Sequence, residues 1–332
     1  MNKIFTFLLV GTSSLTMAQS YAPSADQAGT TAIKADSSIF VSWATGVEVN
    51  RGYINISDTN AVAGGSNRAS AGEPQNAIGP SNNAIVSLGD LGEAILTFDT
   101  PITNGDGPDF AVFENGFSHT FLELAHVEVS SDGIHFVRFP SHSETQTDTQ
   151  IGGFGAVDAS YLYNLAGKYK SGFGTPFDLE ELKNEQGLNV NQITHVKIID
   201  VVGSLGSEGT KDAQNNMIND PFPTPFASGG FDLDAVGVIH EYEDSGETTG
   251  LSTNQHELSL HIFPNPSTGI VNIRTNGVGE KNILISNSLG QKVKTISDVQ
   301  PNEVIQVELP KGIYFIHIET QSKLESRKVV VR

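Results

Sequence analysis

Short apolar runs separated by turn residues define the pattern of this chain. In the segment Gly105 to Asn115 (GDGPDFAVFEN), a Gly/Pro/Asp turn leads into an apolar strand that ends in Glu114 and Asn115. Three further strand-like runs have the composition of its partners in one antiparallel sheet: EAILTF at 93–98, LELAHVEVS at 122–130 and FDLDAVGVIH at 231–240. Because the turns between the runs from Glu93 to Ser130 are short, this part of the chain is predicted to be all-β.

The period changes between Gly152 and Gly187. Tyr161, Leu165 and Tyr169 recur four residues apart after Asp158, and the run DLEEL at 178–182 resembles a helix start with a capping acid. Two short helices are therefore predicted as an insert in the sheet.

A second series of strands begins at Leu258. Seven short strand candidates separated by turn signals run from there to Arg332, which predicts a small antiparallel, Ig-like sandwich. The preceding segment, 245–257, has the acidic, Ser/Thr/Gly-rich composition of a linker. The predicted fold is therefore a jelly-roll-like antiparallel β-sandwich at 21–244 with a short helical insert, and a small sandwich at 258–332.

The first 18 residues have the features of a secretory signal peptide. Lys3 precedes an apolar run from Ile4 to Val10, and small residues lead to Ala18, which predicts cleavage before Gln19. No other run is long and apolar enough to predict a membrane span. The chain contains no cysteine, so an exported protein of this sequence has no disulfide to stabilise it.

Negative charge dominates the first three quarters of the chain. The whole sequence has 38 acids and 19 bases, and 31 of those acids but only 10 of the bases precede His256. Binding of nucleic acid or anionic lipid depends on Lys and Arg, so neither is an expected partner. The excess of carboxylates favours bound divalent cations.

Several acids stand next to strands in a region that has few bases. Asp232 and Asp234 share one face of their strand, and Glu114 ends another. A structural Ca²⁺ held by carboxylates and loop carbonyls is one way to compensate them, although each acid singly is as well explained by a turn-capping role or by pairing with Arg51 or Arg138. The candidate ligands are Asp106, Asp109, Glu114, Asp132, Asp200, Asp232 and Asp234.

Aromatic residues in or near long loops are the candidates for contact with an organic ligand. Loops at 57–83 and 203–230 are longer than a compact domain usually needs. The candidate contacts are Trp43, Tyr163, Phe222 and Phe226. Each of these rings can instead pack in the core or cover its edge, and for Trp43 packing is the simpler interpretation.

No motif of a known catalytic centre is present. The histidines of the front part are dispersed, and the sequence contains neither GxSxG nor HExxH nor a P-loop. A ligand-binding surface protein is therefore favoured over an enzyme. A secreted hydrolase that acts on glycans through paired carboxylates and a purely structural surface protein remain the alternatives.

The C-terminal strands carry motifs that resemble a known domain. FPNPSTG at 263–269, ISNSLGQ at 285–291, LPKGIYF at 309–315 and the basic end at Arg327, Lys328 and Arg332 are similar to the C-terminal sorting domain of type IX secretion cargo in Bacteroidota. This resemblance implies recognition by the type IX machinery and delivery to the outer cell surface or the medium.

The front part resembles secreted bacterial β-sandwich proteins of the galactose-binding, discoidin-like jelly-roll kind. The similarity rests on NAIGP at 76–80, VSLG at 86–89, ILTF at 95–98, Gly105 to Asn115, VSSDG at 129–133 and FDLDAV at 231–236. It implies a surface module that binds a small molecule or a glycan, with a structural Ca²⁺. Related surface proteins accompany TonB-dependent outer-membrane transporters, including those for cobalamin, so nutrient capture beside such a transporter is the expected function.

Overall fold

The computed structural model describes residues 21–242, 260–263, 265–275, 282–297, 299–300, 304–319 and 324–332. The predicted signal peptide and the predicted linker lie outside these ranges, and the boundaries drawn there stay predictions. Strands and three short 3-10 turns are the regular elements of the described residues, so the predicted all-β class is confirmed. No helix long and apolar enough to span a membrane occurs in these ranges.

Residues 21–242 contain 13 strands in three antiparallel sheets. In chain order they are β1 (Ile33–Lys34), β2 (Ser42–Trp43), β3 (Gly46–Asn50), β4 (Val86–Ser87), β5 (Glu93–Ile102), β6 (Phe110–Glu114), β7 (Ala125–Ser130), β8 (Val137–Arg138), β9 (His142–Ser143), β10 (Leu162–Tyr163), β11 (Phe173–Phe177), β12 (Ile193–Asp200) and β13 (Asp232–Val238). The first sheet has the order β1-β11-β6-β13-β2, with β4 also paired to β13. The second has the order β3-β5-β12-β7-β8, and β9 and β10 form a separate ribbon.

The main hydrophobic core contains side chains of both large sheets, as in a sandwich. Leu96, Val127 and Val196 of the second sheet join Phe110 and Val236 of the first in one buried cluster. The second sheet keeps a polar outer face, where the Arg138 guanidinium donates to the Glu128 carboxylate at 2.9 Å. Buried and partly exposed residues largely alternate along β12, as expected for a sheet with one face toward the core and one toward solvent.

The partners of β6 differ from those expected. β6 pairs with β11 and β13, whereas β5 and β7 belong to the opposite sheet. Of the three segments predicted to share a sheet with β6, only 231–240, which contains β13, does so. All five β6 residues are buried, because Phe110 faces the main core and Phe113 packs on its other side against Phe40 and Trp43. Burial on both faces explains why the strand is continuously apolar.

The expected helix through Leu165 and Tyr169 is not formed. Asp158 does cap a turn, accepting from Ser160 N at 2.9 Å, but the 3-10 turn is confined to Ala159–Tyr161 and is followed by β10. Asn164 and Gly167 then take positive φ values, which a continuous helix does not allow. The second predicted helix is likewise a short 3-10 turn, Leu179–Leu182, capped by Asp178.

The C-terminal strands agree with the sequence pattern. They are β14 (Leu260–Phe263), β15 (Ile270–Thr275), β16 (Asn282–Asn287), β17 (Lys292–Ile296), β18 (Val304–Glu308), β19 (Gly312–Glu319) and β20 (Leu324–Val331). They form a three-stranded sheet, β14-β15-β18, and a four-stranded sheet, β17-β16-β19-β20. The buried side chains of both sheets form one cluster, which confirms the predicted small sandwich.

Candidate functional site

One end of the front sandwich collects its long connections. β6 ends there at Glu114, β12 ends there at Asp200, and β13 begins there at Asp232, which the register places beside Ser87 of β4. We call this region, formed by residues 88–92, 114–124 and 200–232, the loop end. The opposite end, with the turns at 103–109 and 131–134, is called the hairpin end.

Seven of the buried carboxyl groups at or next to the loop end form what we call the acid cluster. None of these residues is more than 8% exposed: Asp90, Glu114, Glu123, Asp200, Asp220, Asp232 and Asp234. The charges of Asp232 and Asp234 act on Glu114, and those of Glu114, Asp232, Asp220 and Asp200 act on Glu123. The acid cluster is therefore one electrostatic unit.

Backbone N–H groups of the connecting loops compensate part of this charge. Asp200 accepts from Phe231 N at 2.7 Å and from Leu91 N at 3.2 Å, and Asp220 accepts from Leu124 N at 3.0 Å. Gly203 allows a close approach, since a Cβ at that position would lie 1.7 Å from Asp220 Oδ1. The acids thus hold the loops to the ends of the strands.

Hydroxyl groups bind the two acids of β13. Asp232 accepts from Ser87 Oγ, while Asp234 accepts from Ser81 Oγ and from Asn82 N. Arg51 donates to the carbonyl oxygens of Ala71 and Ser87 instead of pairing directly with an acid. Its charge still opposes the rise in the pKa of Asp232.

The charge of Glu114 is compensated only in part. Its Oε2 atom accepts from Gly116 N at 2.6 Å, but its Oε1 atom is buried without a hydrogen-bond partner. Such an orphaned carboxylate oxygen is costly unless a proton or a cation binds it.

Burial shifts the acid cluster toward its protonated form. Burial raises the pKa of Glu114, Glu123, Asp200 and Asp220 well above the ordinary values, and neighbouring acids raise it further. Burial also raises the pKa of Asp90 and Asp232 to about 6. Binding of a proton or of a metal cation would relieve the same repulsion.

The seven acids proposed as calcium ligands do not lie together. Glu114, Asp200, Asp232 and Asp234 are at the loop end, whereas Asp106, Asp109 and Asp132 are at the hairpin end. Within the described ranges, no three His, Asp or Glu side chains converge so as to hold a metal ion by themselves. Any ion at the loop end therefore also needs backbone carbonyl or water ligands.

Two acids of the hairpin end have ordinary structural roles. Buried Asp109 accepts at 2.7 Å from each of three groups: Gly105 N, Leu179 N and His240 Nδ1. Asp132 caps the turn between β7 and β8 by accepting from Ile134 N and His135 N at 2.8 Å. Asp106 is exposed in the turn before β6.

A row of phenylalanine rings lies on the surface of the loop end. Phe117 stacks on Phe121 with ring centroids 5.0 Å apart, Phe121 lies 6.2 Å from Phe154, and Phe154 lies 5.5 Å from Phe226. Phe117 is 78% exposed, Phe154 75% and Phe226 42%. We call these four residues the aromatic ridge, and its exposure is typical of a surface that binds a partner.

The other aromatic residues proposed as ligand contacts are separate from the ridge. Trp43 is buried against Phe40 and Phe113, the packing role that the sequence left open, and Phe222 is also buried. Tyr163 is exposed on the β9–β10 ribbon, where it stacks on Tyr21. Of the four proposed residues, only Phe226 belongs to the ridge.

Sequence reasoning missed three ridge residues and three members of the acid cluster. Phe117 follows Asn-Gly, and Phe154 lies between glycines. An isolated phenylalanine in a glycine-rich turn has no local strand to pack with, and this signal could have identified both residues. The burial of Asp90, Glu123 and Asp220, which stand outside the strands, has no comparable sequence signal.

Residues 261–332 match the family model of the secretion system C-terminal sorting domain. The expected type IX sorting domain is thereby confirmed for these residues. The chain is secreted to the cell surface or the extracellular space, and its C-terminal domain interacts with the type IX secretion machinery.

Among curated proteins, no significant sequence match is found. Solved structures similar to this chain include β-glucuronidase of Ruminococcus gnavus without ligand, at 9% identity and a TM-score of 0.19. The same enzyme in complex with C6-substituted uronic isofagomine matches at 8% identity and a TM-score of 0.21. Each match covers 73% of this chain and 36% of the enzyme chain. Such low TM-scores support no conclusion about fold or activity.

Proposed function

We propose that this secreted protein is a cell-surface ligand-binding protein whose binding site is the loop end. The observation that carries the proposal is the aromatic ridge. Water-exposed phenylalanine rings in contact with one another cost free energy unless a partner covers them, and burial of apolar surface is the main favourable contribution to binding.

Small molecules with large apolar faces suit this surface. A glycan presents the C–H faces of its sugar rings, and a cobalamin-type ligand presents a broad macrocycle. The ridge itself consists of uncharged phenylalanine rings, which favours a neutral ligand over a strongly anionic one. Nutrient capture beside a TonB-dependent outer-membrane transporter is the function that combines such a ligand with delivery to the cell surface.

A structural Ca²⁺ at the acid cluster is the second part of the proposal. The donors are all oxygen atoms, which suits this hard cation, and the buried Oε1 atom of Glu114 has no hydrogen-bond partner. Glu114 and Glu123 would hold the ion together with loop carbonyls, and Asp232 would add negative charge nearby. At the hairpin end, Asp109 already accepts three hydrogen bonds, so it is not among the proposed calcium ligands.

A binding screen tests the proposed function. The purified full-length chain is titrated with cyanocobalamin and applied to a glycan array, and bound glycans are analysed for cleavage products. Phe117→Ser and Phe154→Ser should each weaken binding about fivefold or more, because a well-buried aromatic contact contributes more than about 1 kcal/mol.

Ile134→Ser is the matched control. Ile134 is 77% exposed at the hairpin end, so its replacement should leave binding unchanged. Equal affinity in the parent, both ridge variants and the control would refute the assignment of the site. Cleaved glycans would identify the protein as a hydrolase instead.

A further inference from the structure

Two buried glutamates bracket the loop that carries half of the aromatic ridge. Glu114 is the last residue of β6, and Glu123 stands two residues before β7. Phe117 and Phe121 lie between them and stack on each other. The position of these two rings therefore depends on how residues 115–122 are held between the two carboxyl groups.

The loop turns back on the Glu114 carboxylate. A Cβ built on Gly116 would lie 2.9 Å from Glu114 Oε2 and 2.9 Å from the carbonyl oxygen of Phe121. The Glu114 Oε2 atom and the Phe121 carbonyl oxygen thus both face the space that a side chain at position 116 would occupy, and glycine leaves this space free. This close approach places an acid-cluster oxygen next to the backbone of a ridge residue.

Charge at this point is compensated incompletely. Burial and the charges of other acids both act on Glu114 and Glu123, and the hydrogen bonds that the Glu114 carboxylate accepts come from backbone N–H groups. Glu114 Oε1 has no partner, although the residue is only 1% exposed. Glu114 and Glu123 therefore repel each other when both are ionised, and either a proton or a cation relieves this repulsion.

We infer that a divalent cation bound by Glu114 and Glu123 fixes residues 115–122 and thereby switches the aromatic ridge into its binding arrangement. The inference rests on the proposed function, since it concerns regulation of that same site. It goes further than a stabilising ion, because ligand affinity becomes dependent on the cation. The coupling is reciprocal: ligand bound to the ridge tightens cation binding by the same factor.

Hydrogen–deuterium exchange of the full-length chain at constant pH tests this coupling, with CaCl₂ or EGTA as the only difference. Calcium should slow exchange in residues 115–124 about tenfold, a typical size for coupling between sites. Residues 130–135 at the hairpin end should exchange at the same rate in both buffers. Calorimetry with CaCl₂ alone should detect one binding event.

Glu123→Gln is the informative variant, because it removes one charge and preserves the shape of the side chain. It should abolish the effect of calcium on residues 115–124. The control Glu128→Gln lies on β7 near Arg138, away from the loop, and should retain the effect. Exchange of residues 115–124 that is identical with CaCl₂ and EGTA, or a calcium effect that persists in Glu123→Gln, would overturn the inference.

The failure of this inference can be distinguished from that of the proposed function. Ligand affinity that is reduced by Phe154→Ser but equal in CaCl₂ and EGTA refutes the switch and leaves the binding site intact. Calcium protection of residues 115–124 together with unaltered binding by Phe154→Ser refutes the ridge as the site. Affinity that falls in EGTA by about the same factor as in Glu123→Gln supports the coupling.

Discussion

Replacement of Asp109 by asparagine should destabilise the front sandwich in a way that calcium does not affect. Asp109 accepts three hydrogen bonds, all at 2.7 Å, and is fully buried. In Asp109→Asn, the amide oxygen can remain at the Oδ1 position and accept from Gly105 N and His240 Nδ1. The amide NH₂ group then faces the N–H of Leu179, which is left without an acceptor.

The expected cost follows from this geometry. One hydrogen bond to a charged acceptor is lost and one buried donor becomes unsatisfied, which together amount to about 2–3 kcal/mol. For a domain of this size, the melting temperature should fall by roughly 4–12 °C. Asp106→Asn is the matched control, because exposed Asp106 lies in the same turn and its replacement should change stability by less than about 0.5 kcal/mol.

Calorimetric melting of the full-length chain measures both variants. Each is melted in CaCl₂ and in EGTA, and the loss in Asp109→Asn should be equal in the two buffers. A destabilisation seen only in CaCl₂ would refute the hydrogen-bond argument. It would show instead that Asp109 binds the ion, as the sequence alone suggested.

Three other predictions concern pH, export and domain structure. Burial lowers the pKa of His126 to about 4, so its contribution to stability is complete above pH 6.5 and decreases as the pH falls toward 4, by about 3 kcal/mol. Urea unfolding of the parent and of His126→Gln at pH 7 and 4.5 isolates this effect, and equal pH dependence would contradict it. Deletion of Leu258 to Arg332 should abolish surface delivery, measured by labelling of intact cells, and normal display would disprove the need for the sorting domain. Limited proteolysis between Asp244 and Gln255 should release two stable pieces, whereas digestion of the front piece would show that the boundary is wrong.

The positions of most strands could be predicted from the sequence, but several pairings could not. Alternation of apolar and polar residues is a local signal, and it located β5, β12 and all strands of the sorting domain. Which strands share a sheet depends on contacts between distant segments. The continuous apolar run of β6 is consistent with pairing to β5 and β7 as well as with the observed pairing to β11 and β13. The neighbour β11 lies within 152–187, where the sequence pattern predicts two short helices.

The candidate site was predicted only in part, for a similar reason. Strand periodicity indicated that Asp232 and Asp234 share one face of their strand, but the structure was needed to place Glu114 beside them. Asp220 could not be assigned, because its neighbours Asn219 and Pro221 are typical of an exposed turn. Its burial results from packing of the long 201–231 loop over the strands, which the local pattern does not encode.

The central position of β13 in the first sheet determines when the front domain can fold during synthesis. This strand, Asp232–Val238, pairs with β6, β2 and β4, all of which precede it by at least 118 residues in the chain. A nascent or truncated chain that ends before Asp232 leaves β6 with an unpaired, apolar edge. Such contacts between distant segments fold slowly, so the sandwich closes only after nearly all of its residues have been made. Stop codons or proteolytic cuts shortly before β13 should therefore yield aggregation-prone fragments instead of a smaller folded domain.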